Sequence, residues 1–291
     1  MILAIDIGNS RVHFGCFNKT GVLVASETIS HDDLKLAAGR SSAVKRLSSL
    51  HKYSISTIVL ASTCPKMNRL IIKLVENIFG IKVLEIGKDI SVPIANRTDN
   101  PSKIGQDRLL NALAAYRRTK TQTIVIDAGT AVTIDVVSAK GGFSGGIIAP
   151  GMRVMAQALH QRCEMLPLIK ASMVGCPSAV NDKGVLQPRI PSSNSLTFKL
   201  LEYNSLHSNS RTIIGKDTES AMASGIFFSV VGLINEAVTR ISRPLKSKPK
   251  ILITGGNAGI LRPYIASNCK QITHLTLEGI YLVAAGRQIT A

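Results

Sequence analysis

One short pattern occurs twice in this 291-residue chain and constrains the fold more than any other feature. The copies lie 121 positions apart, as Ala4-Ile5-Asp6-Ile7-Gly8-Asn9-Ser10 and Val125-Ile126-Asp127-Ala128-Gly129-Thr130-Ala131. In each copy an apolar run typical of a buried strand ends in Asp-x-Gly, and a second β-branched run follows. The repeat therefore predicts two similar halves, each beginning with a hairpin.

Strand and helix patterns alternate after each hairpin, which predicts an α/β protein with a sheet in each half. Helices are predicted at residues 32–50, 66–78, 105–117, 152–165, 218–241 and 275–285. A polar stretch at 117–122 separates the halves and predicts domains at 1–118 and 119–291. The segment 176–210 is rich in Ser, Asn and Pro, and predicts an inserted loop in the second domain.

The charge balance narrows the choice of ligands. The chain has 35 Lys and Arg against 18 Asp and Glu, a formal net charge of +17. Such a surface favours anions, whether nucleotides, nucleic acid or acidic lipid. However, the absence of Trp and the 4% aromatic content argue against a stacking platform for nucleic acid.

Cysteine usage and hydropathy predict a cytoplasmic protein. The five cysteines are widely spaced and include no C-x-x-C pair, which suggests neither a disulfide framework nor a zinc site. We find no secretory leader and no uncharged apolar run of the roughly 18 residues needed to span a bilayer. No membrane partner is expected.

Each Asp-x-Gly turn has two interpretations. Its backbone N–H groups and hydroxyl can bind phosphate while the carboxylate holds a hydrated cation such as Mg²⁺. The same residues are also common in ordinary hairpins, because Asp bonds its own backbone and Gly accepts positive φ. A lone copy favours the ordinary hairpin, whereas two copies heading similar halves favour one polyphosphate ligand. A third turn, Thr254-Gly255-Gly256, could place its backbone against a ribose or adenine.

Taken in order, these motifs resemble the type III pantothenate kinases of the acetate and sugar kinase, Hsp70 and actin superfamily. The residues that carry the resemblance are Asp6-Ile7-Gly8-Asn9-Ser10, Gly105-Gln106-Asp107-Arg108, Asp127-Ala128-Gly129-Thr130-Ala131, Gly145-Gly146-Ile147-Ile148-Ala149-Pro150-Gly151, Gly215-Lys216-Asp217-Thr218, Thr254-Gly255-Gly256 and Leu275-Thr276-Leu277-Glu278-Gly279. The resemblance covers the chain apart from 176–210. It implies two actin-like (ribonuclease H-like) halves, with mixed sheets flanked by helices, around a central nucleotide cleft.

The family transfers the γ-phosphoryl group of ATP to pantothenate, the first step of coenzyme A biosynthesis. By resemblance, Asp107 is the general base. The residues implied to contact ATP are Asp6, Ile7, Gly8, Asn9, Ser10, Arg11, Val12, His13, Thr130, Gly255 and Gly256. The cofactors implied are ATP, Mg²⁺ and a monovalent cation, K⁺ or NH₄⁺, with Asp6 and Asp127 as metal ligands.

The substrate site is also implied by the resemblance. Its residues are Thr98, Gly105, Gln106, Asp107, Arg108 and Thr218. Arg108 offers a planar fork for the pantothenate carboxylate. Without the resemblance, Asp107 and Arg108 would be interpreted as an acid favoured by the helix dipole beside a solvated base. The family commonly has Tyr seven residues before its Gly-x-Asp-Arg motif, where this chain has Thr98.

Two other functions stay open at this point. The chain could be a non-catalytic regulatory or nucleic-acid-binding accessory protein on the same scaffold, as the charge of +17 allows. It could also be a kinase for another small hydroxy acid, because a fold does not fix a substrate. The resemblance favours pantothenate as the small-molecule substrate, no nucleic-acid partner, and a homodimer in which both subunits shape the substrate pocket.

Overall fold

The computed structural model describes residues 1–169, 214–245, 247–265 and 268–290, so the predicted loop at 176–210 lies outside the described residues. The chain forms two compact units. Unit 1 comprises Met1–Thr123, Asp135–Gly145 and His274–Ala291, and unit 2 comprises Ile124–Ile134 and Gly146–Thr273. These units are discontinuous in sequence, and the predicted domain division between residues 118 and 119 stays a prediction.

The first sheet is mixed. Its strands are Ile2–Ile7 (β1), Arg11–Phe17 (β2), Leu23–Ser30 (β3), Thr57–Ser62 (β4) and Val83–Glu85 (β5). They lie in the order β3-β2-β1-β4-β5; the β1–β2 and β2–β3 pairs are antiparallel, and the β1–β4 and β4–β5 pairs are parallel. Alternate residues of β1 enter two different apolar clusters, Leu3 and Ile5 in one and Ile2 and Ala4 in the other. A central strand buried on both faces explains its nearly continuous apolar sequence.

The second sheet repeats this order. Its strands are Thr123–Ala128 (β6), Ala131–Val137 (β7), Phe143–Pro150 (β8), Lys250–Thr254 (β9) and Cys269–Gln271 (β10). They lie in the order β10-β9-β6-β7-β8, with β9 and β10 parallel. In both sheets the second and third strands lie on one side of the first, and the fourth and fifth lie on the other. The duplicated motif therefore predicted a duplicated topology, although the three-residue strand β10 was not predicted.

Helices flank both sheets. They are His31–Lys35 (α1), Ala37–Ser48 (α2), Pro65–Phe79 (α3), Gln106–Thr119 (α4), Met152–Arg162 (α5), Thr218–Ser242 (α6), Ala258–Leu261 (α7) and Leu275–Thr290 (α8). The prediction of one helix at 32–50 is wrong, because Leu36 has an extended backbone and separates α1 from α2. Gly39 approaches the chain before this break so closely that a Cβ would lie 2.1 Å from the Asp33 carbonyl oxygen.

Helix α6 is long and apolar, although charged residues interrupt it before any uncharged run reaches 18 residues. By length and composition it is apolar enough to cross a membrane, although half of its most apolar stretch is buried. Phe227, Val230 and Ile234 are buried in the core of unit 2 together with Ile124 and Ile126 of β6. This packing accounts for the apolar composition of α6.

Candidate functional site

The first loop, residues 8–10, joins β1 to β2 in unit 1. The Gly8 N–H donates to the Arg11 carbonyl at 3.0 Å, and the Ser10 carbonyl accepts the His31 N–H at 3.0 Å. These bonds fix the loop between the end of β1 and the end of β3. Asn9 is exposed at its tip. Among the other residues of the predicted phosphate loop, Ile7 and Val12 are buried and close the hairpin.

Asp6 and His13 face each other across this hairpin. The β1–β2 register pairs them directly, and both are partly buried. His13 Nδ1 lies 3.0 Å from Thr28 Oγ1. Burial, together with the charges of His274 and Arg11, lowers the pKa of His13 to about 4. His13 is therefore neutral at pH 7 and can offer a hydrogen bond but no charge to a phosphate.

The second loop, residues 129–130, joins β6 to β7 in unit 2 and is one residue shorter. The Gly129 N–H donates to the Ala131 carbonyl at 3.0 Å, and the Thr130 carbonyl accepts the Gly151 N–H at 3.0 Å. Thr130 therefore occupies the position that Ser10 has in the first loop, since both carbonyls accept the amide that follows the third strand. The repeat in the sequence instead aligns Thr130 with Asn9.

The turn after β9 lies against the second loop within unit 2. Gly255 has φ +91°, and a Cβ there would lie 2.5 Å from Asp127 Oδ1 and 2.7 Å from the Ala128 carbonyl carbon. Only glycine allows this approach. Asn257 is buried, and its N–H donates to the Ala128 carbonyl at 3.0 Å. Gly255 and Gly256 are exposed, so this backbone is accessible to a ligand.

The predicted catalytic carboxyl lies at the start of α4 in unit 1. Gly105 precedes the helix, and Gln106, Asp107 and Arg108 form its first turn. Burial raises the pKa of Asp107, although the Arg108 backbone N–H and guanidinium oppose the shift. The raised pKa makes this carboxylate a stronger base than an exposed Asp. A Cβ on Gly105 would lie 2.5 Å from Asp107 Oδ1, so a larger residue there would require this carboxylate to move.

Arg108 has a partner that the sequence analysis did not foresee. Its Nε lies 3.0 Å from Asp135 Oδ1 and 3.2 Å from Oδ2, and its Nη2 also donates to Oδ1. The guanidinium carbon lies 5.4 Å from the centre of the Phe143 ring. The Asp135 side chain is only 1% exposed. Arg108 is therefore a fixed and largely buried cation, and not a solvated base.

The remaining substrate residues fall in different units. Thr98 belongs to unit 1, and its hydroxyl donates to Asn96 Oδ1 at 2.8 Å. The segment that carries it is hydrogen-bonded to Phe143, since the Arg97 N–H donates to the Phe143 carbonyl at 2.9 Å. Thr98 is therefore linked through Phe143 to Arg108. Thr218 belongs to unit 2, where it is the exposed first residue of α6.

Comparison with known proteins identifies the family. Residues 2–183 match the family described as Type III pantothenate kinase. The type III pantothenate kinase of Persephonella marina is 31% identical, and that of Geotalea daltonii is 30% identical, each over 97% of this chain and 97% of the relative. The chain belongs to the type III pantothenate kinase family.

The fold of this family member agrees with that result. Component A of the (R)-2-hydroxyglutaryl-CoA dehydratase from Acidaminococcus fermentans superposes with a TM-score of 0.52 and 16% identity, covering 100% of this chain and 99% of the other. At this identity the likeness shows the fold alone. The predicted α/β architecture, actin-like with two mixed sheets flanked by helices, is confirmed.

Three residues that contact the predicted site residues were not predicted from the sequence of this family member. They are Asp135, Phe143 and Asn257. Asp135 had a signal in the sequence, since it is the one acidic residue within the apolar strand β7. A carboxylate buried in a strand requires a partner, but the pattern does not say which cation supplies it. Asn257 follows the paired glycines directly and could have been included with them.

The cation sites expected of the family need few protein ligands. Among the residues that the structure describes, no three His, Cys, Asp or Glu side chains cluster as a metal site. Mg²⁺ usually retains water and is held by one or two carboxylates and substrate phosphates. A single partly buried Asp6 or Asp127 at the end of a strand fits this pattern. The Gly255 backbone packs so closely on Asp127 that a Cβ would lie 2.5 Å from Oδ1, so any ligand of this carboxylate must approach from another side.

Proposed function

We propose that this chain transfers the γ-phosphoryl group of ATP to the primary hydroxyl of pantothenate, giving 4′-phosphopantothenate in coenzyme A biosynthesis. Membership of the type III pantothenate kinase family supports the reaction. The observation that carries the proposal is the partly buried Asp107 carboxyl, of raised pKa, directly beside a guanidinium held in place. A base and a carboxylate-binding cation are the two groups that a hydroxy acid substrate requires.

In the proposed reaction, Asp107 accepts the proton of the attacking hydroxyl. The hydroxyl oxygen bonds to the γ-phosphorus while the bond to the bridging oxygen of ADP breaks. Phosphoryl transfer depends mainly on positioning and charge neutralisation, and general-base catalysis adds a factor of roughly 10² to 10⁴. The burial that raises the pKa of Asp107 therefore suits it for proton transfer.

The substrate carboxylate would bind Arg108. Asp135 takes the Nε–Nη2 edge of the guanidinium, and the opposite edge of that group still carries N–H donors. Gly105, Gln106 and Thr98 lie in the same unit and would complete the pantothenate site there. Thr218 would contribute from the exposed start of α6.

Within unit 1 the ATP contacts would be Asp6 to His13, and within unit 2 they would be Thr130 and the Gly255-Gly256 turn. Support comes from the hydrogen-bonded backbone that fixes both loops and from the exposed glycine backbone of the Gly255-Gly256 turn. We assign Asp6 to Mg²⁺ and Asp127 to a monovalent cation, K⁺ or NH₄⁺. When bound, these cations neutralise phosphate charge. The Ser10 and Thr130 hydroxyls would orient the phosphates, while the Gly8 and Gly129 N–H groups hold the two hairpins closed.

We also propose a cytoplasmic homodimer. Apolar side chains in unit 2 support association, because Ile148 is 62% exposed and Met165 is 89% exposed. Light scattering coupled to gel filtration should give twice the 31.1 kDa mass of the chain. A mass of one chain across the micromolar range would contradict the dimer.

A coupled assay of ADP release tests the proposed function. Purified protein with ATP, Mg²⁺ and K⁺ should turn over pantothenate with a higher kcat/KM than other small hydroxy acids, and omission of K⁺ should lower the rate. A folded protein without turnover would contradict the proposal. If another hydroxy acid had a higher kcat/KM than pantothenate, that acid would be the substrate. Tight, salt-sensitive nucleic-acid binding without turnover would favour the accessory-protein alternative.

A further inference from the structure

The ion pair between Arg108 and Asp135 is unusual for its burial. The side chains are 11% and 1% exposed, and the carboxylate receives bonds from both Nε and Nη2. Removing two charges from water is costly, so a buried ion pair is weak support for stability. A pair of this kind is better explained by the geometry that it imposes. Nothing in the proposed reaction has yet used Asp135.

The contacts fix both the position and the plane of the guanidinium. The side-on bonds to Asp135 set its direction in the plane. Phe143 lies over it, with the ring centre 5.4 Å from the guanidinium carbon, which favours one orientation of the plane. Because Asp135 occupies the Nε–Nη2 edge, the edge that carries Nη1 is directed away from that carboxylate. A second carboxylate can form a bidentate pair there.

A second polar contact holds the same part of α4. Asn111 lies one helical turn after Asp107, is 1% exposed, and accepts a hydrogen bond from the Thr276 hydroxyl at 2.9 Å. Gly279 of α8 packs so closely on α4 that a Cβ would lie 2.4 Å from the Leu110 carbonyl oxygen. Helix α4 is therefore held on α8, and within this rigid turn Asp135 holds the Arg108 side chain.

We propose that Asp135 is a positioning residue for substrate recognition: it orients Arg108 so that the remaining guanidinium edge receives the carboxylate of the hydroxy acid. The inference rests on the proposed function, in which Arg108 binds that carboxylate and Asp107 receives the hydroxyl proton. A fixed guanidinium beside a fixed base sets the distance between the two ends of an acceptable substrate. Asp135 thus contributes to specificity without touching the substrate.

Asp135→Asn tests the proposal, because it keeps the size of the side chain and removes the charge. The pantothenate KM should rise at least tenfold while the ATP KM stays within twofold of wild type. A loss of folded protein lowers kcat but leaves both KM values unchanged, so it would not imitate this result. The matched control is Glu278→Gln, which breaks the pair between Arg118 at the other end of α4 and Glu278. It should change neither KM.

Asp135→Glu provides the second test, and it stays informative where Asp135→Asn does not fold. It keeps the carboxylate but displaces the guanidinium by about one methylene, so the pantothenate KM should rise roughly three- to tenfold. An unchanged pantothenate KM in either folded variant would overturn the proposal, as would equal rises in both substrates' KM values.

Arg108→Ala separates this inference from the proposed function. If Arg108→Ala raises the pantothenate KM but Asp135→Asn does not, only the role of Asp135 is wrong. If Arg108→Ala leaves the pantothenate KM unchanged, the role of Arg108 in the proposed function is wrong, and the role of Asp135 falls with it. Absence of wild-type turnover would reject the function itself.

Discussion

The two Asp-x-Gly loops share a scaffold but differ in what packs against them. In both units the turn after the fourth strand donates an amide to the last residue of the first strand: Thr63 to the Ile7 carbonyl at 2.9 Å, and Asn257 to the Ala128 carbonyl at 3.0 Å. Thr63 follows β4 directly. In unit 2 the two glycines come before Asn257, and Gly255 packs on Asp127.

This difference shows how two copies of one motif can bind different parts of a ligand. The repeat supplies the strand, the acidic residue and the loop amides in both units. The connection after the fourth strand then decides what else lies beside the loop. We expect the first loop to bind phosphate through its amides and hydroxyl, and the second to bind a ligand that also lies on exposed glycine backbone.

The largest expected effect comes from Gly255→Ala. Its Cβ would meet backbone and carboxylate atoms at 2.5 to 2.8 Å, at a φ of +91°. Strain and overpacking should together lower the free energy of unfolding by roughly 2 to 5 kcal/mol. Urea titration measures this loss, and calorimetric titration measures the accompanying weakening of ATP binding.

Gly8→Ala is the matched variant in the first loop. A Cβ at Gly8 would come no closer than 3.4 Å to the Arg11 carbonyl oxygen, and Gly8 is not among the positive-φ glycines. Its free energy of unfolding should change by less than about 1 kcal/mol. Equal losses in Gly8→Ala and Gly255→Ala would contradict the contrast between the loops.

His13 should give unit 1 a pH dependence that the second hairpin lacks, since β7 has Thr133 where β2 has His13 counted from the start of each strand. The pKa of His13 falls from 6.5 to about 4 on folding. As the pH falls, the imidazole of His13 is therefore protonated in the unfolded chain before it is protonated in the folded protein. The folded state keeps its full stability above pH 6.5 and loses stability as the pH falls towards 4. The largest loss in the free energy of unfolding that His13 can cause is about 3 kcal/mol.

Urea titrations between pH 7 and pH 4, without nucleotide or metal, measure this dependence. His13→Gln cannot be protonated but can still bond Thr28, so it should flatten part of the acid-side loss of stability. His31 and His274, whose pKa values are also lowered by burial, account for a remainder. The exposed His51→Gln is the control. An unchanged pH dependence in His13→Gln would refute the prediction.

The smallest effects are expected from the loop hydroxyls. The hydrogen-bond pattern makes Ser10 and Thr130 equivalent, so Ser10→Ala and Thr130→Ala should each weaken ATP binding by roughly tenfold, as for a hydrogen bond to a charged group. Asn9→Ala should have a smaller effect, because Asn9 is the extra residue at the tip of the first loop. If Asn9→Ala weakened ATP binding more than Ser10→Ala, Asn9 would be the functional equivalent of Thr130, as the sequence repeat aligns them. Calorimetric titration with ATP distinguishes these outcomes.

Much of the fold could be predicted because it depends on local signals. Apolar strands ending in Asp-x-Gly predicted both hairpins, and the start of α4 was predicted within one residue. The break at Leu36 was not predicted, because the helical spacing of apolar residues does not show the side-chain and backbone contacts, all within six residues, that hold it. Arg40 Nη1 donates to the Leu34 and Lys35 carbonyls, and Gly39 packs on Asp33.

Only site residues that lie within one sequence motif could be predicted together. The Gly-x-Asp-Arg motif pointed to Asp107 and Arg108 together, but the ion pair joins Arg108 to a residue 27 positions away. Sequence spacing likewise aligned Asn9 with Thr130, whereas the hydrogen bonds from the residue after the third strand align Ser10 with Thr130. A local sequence motif does not show which distant residue the fold brings into contact with it.

The most direct test of the central claim is the rate of pantothenate phosphorylation by Asp107→Asn, measured together with ATP binding. With Asp107 as the general base, kcat should fall by roughly 10² to 10⁴ while the ATP Kd stays within about twofold of wild type. In the wild-type enzyme, kcat/KM should fall as acid protonates Asp107, at a pH above the usual Asp range because burial raises its pKa. A variant that retains wild-type kcat would contradict the account.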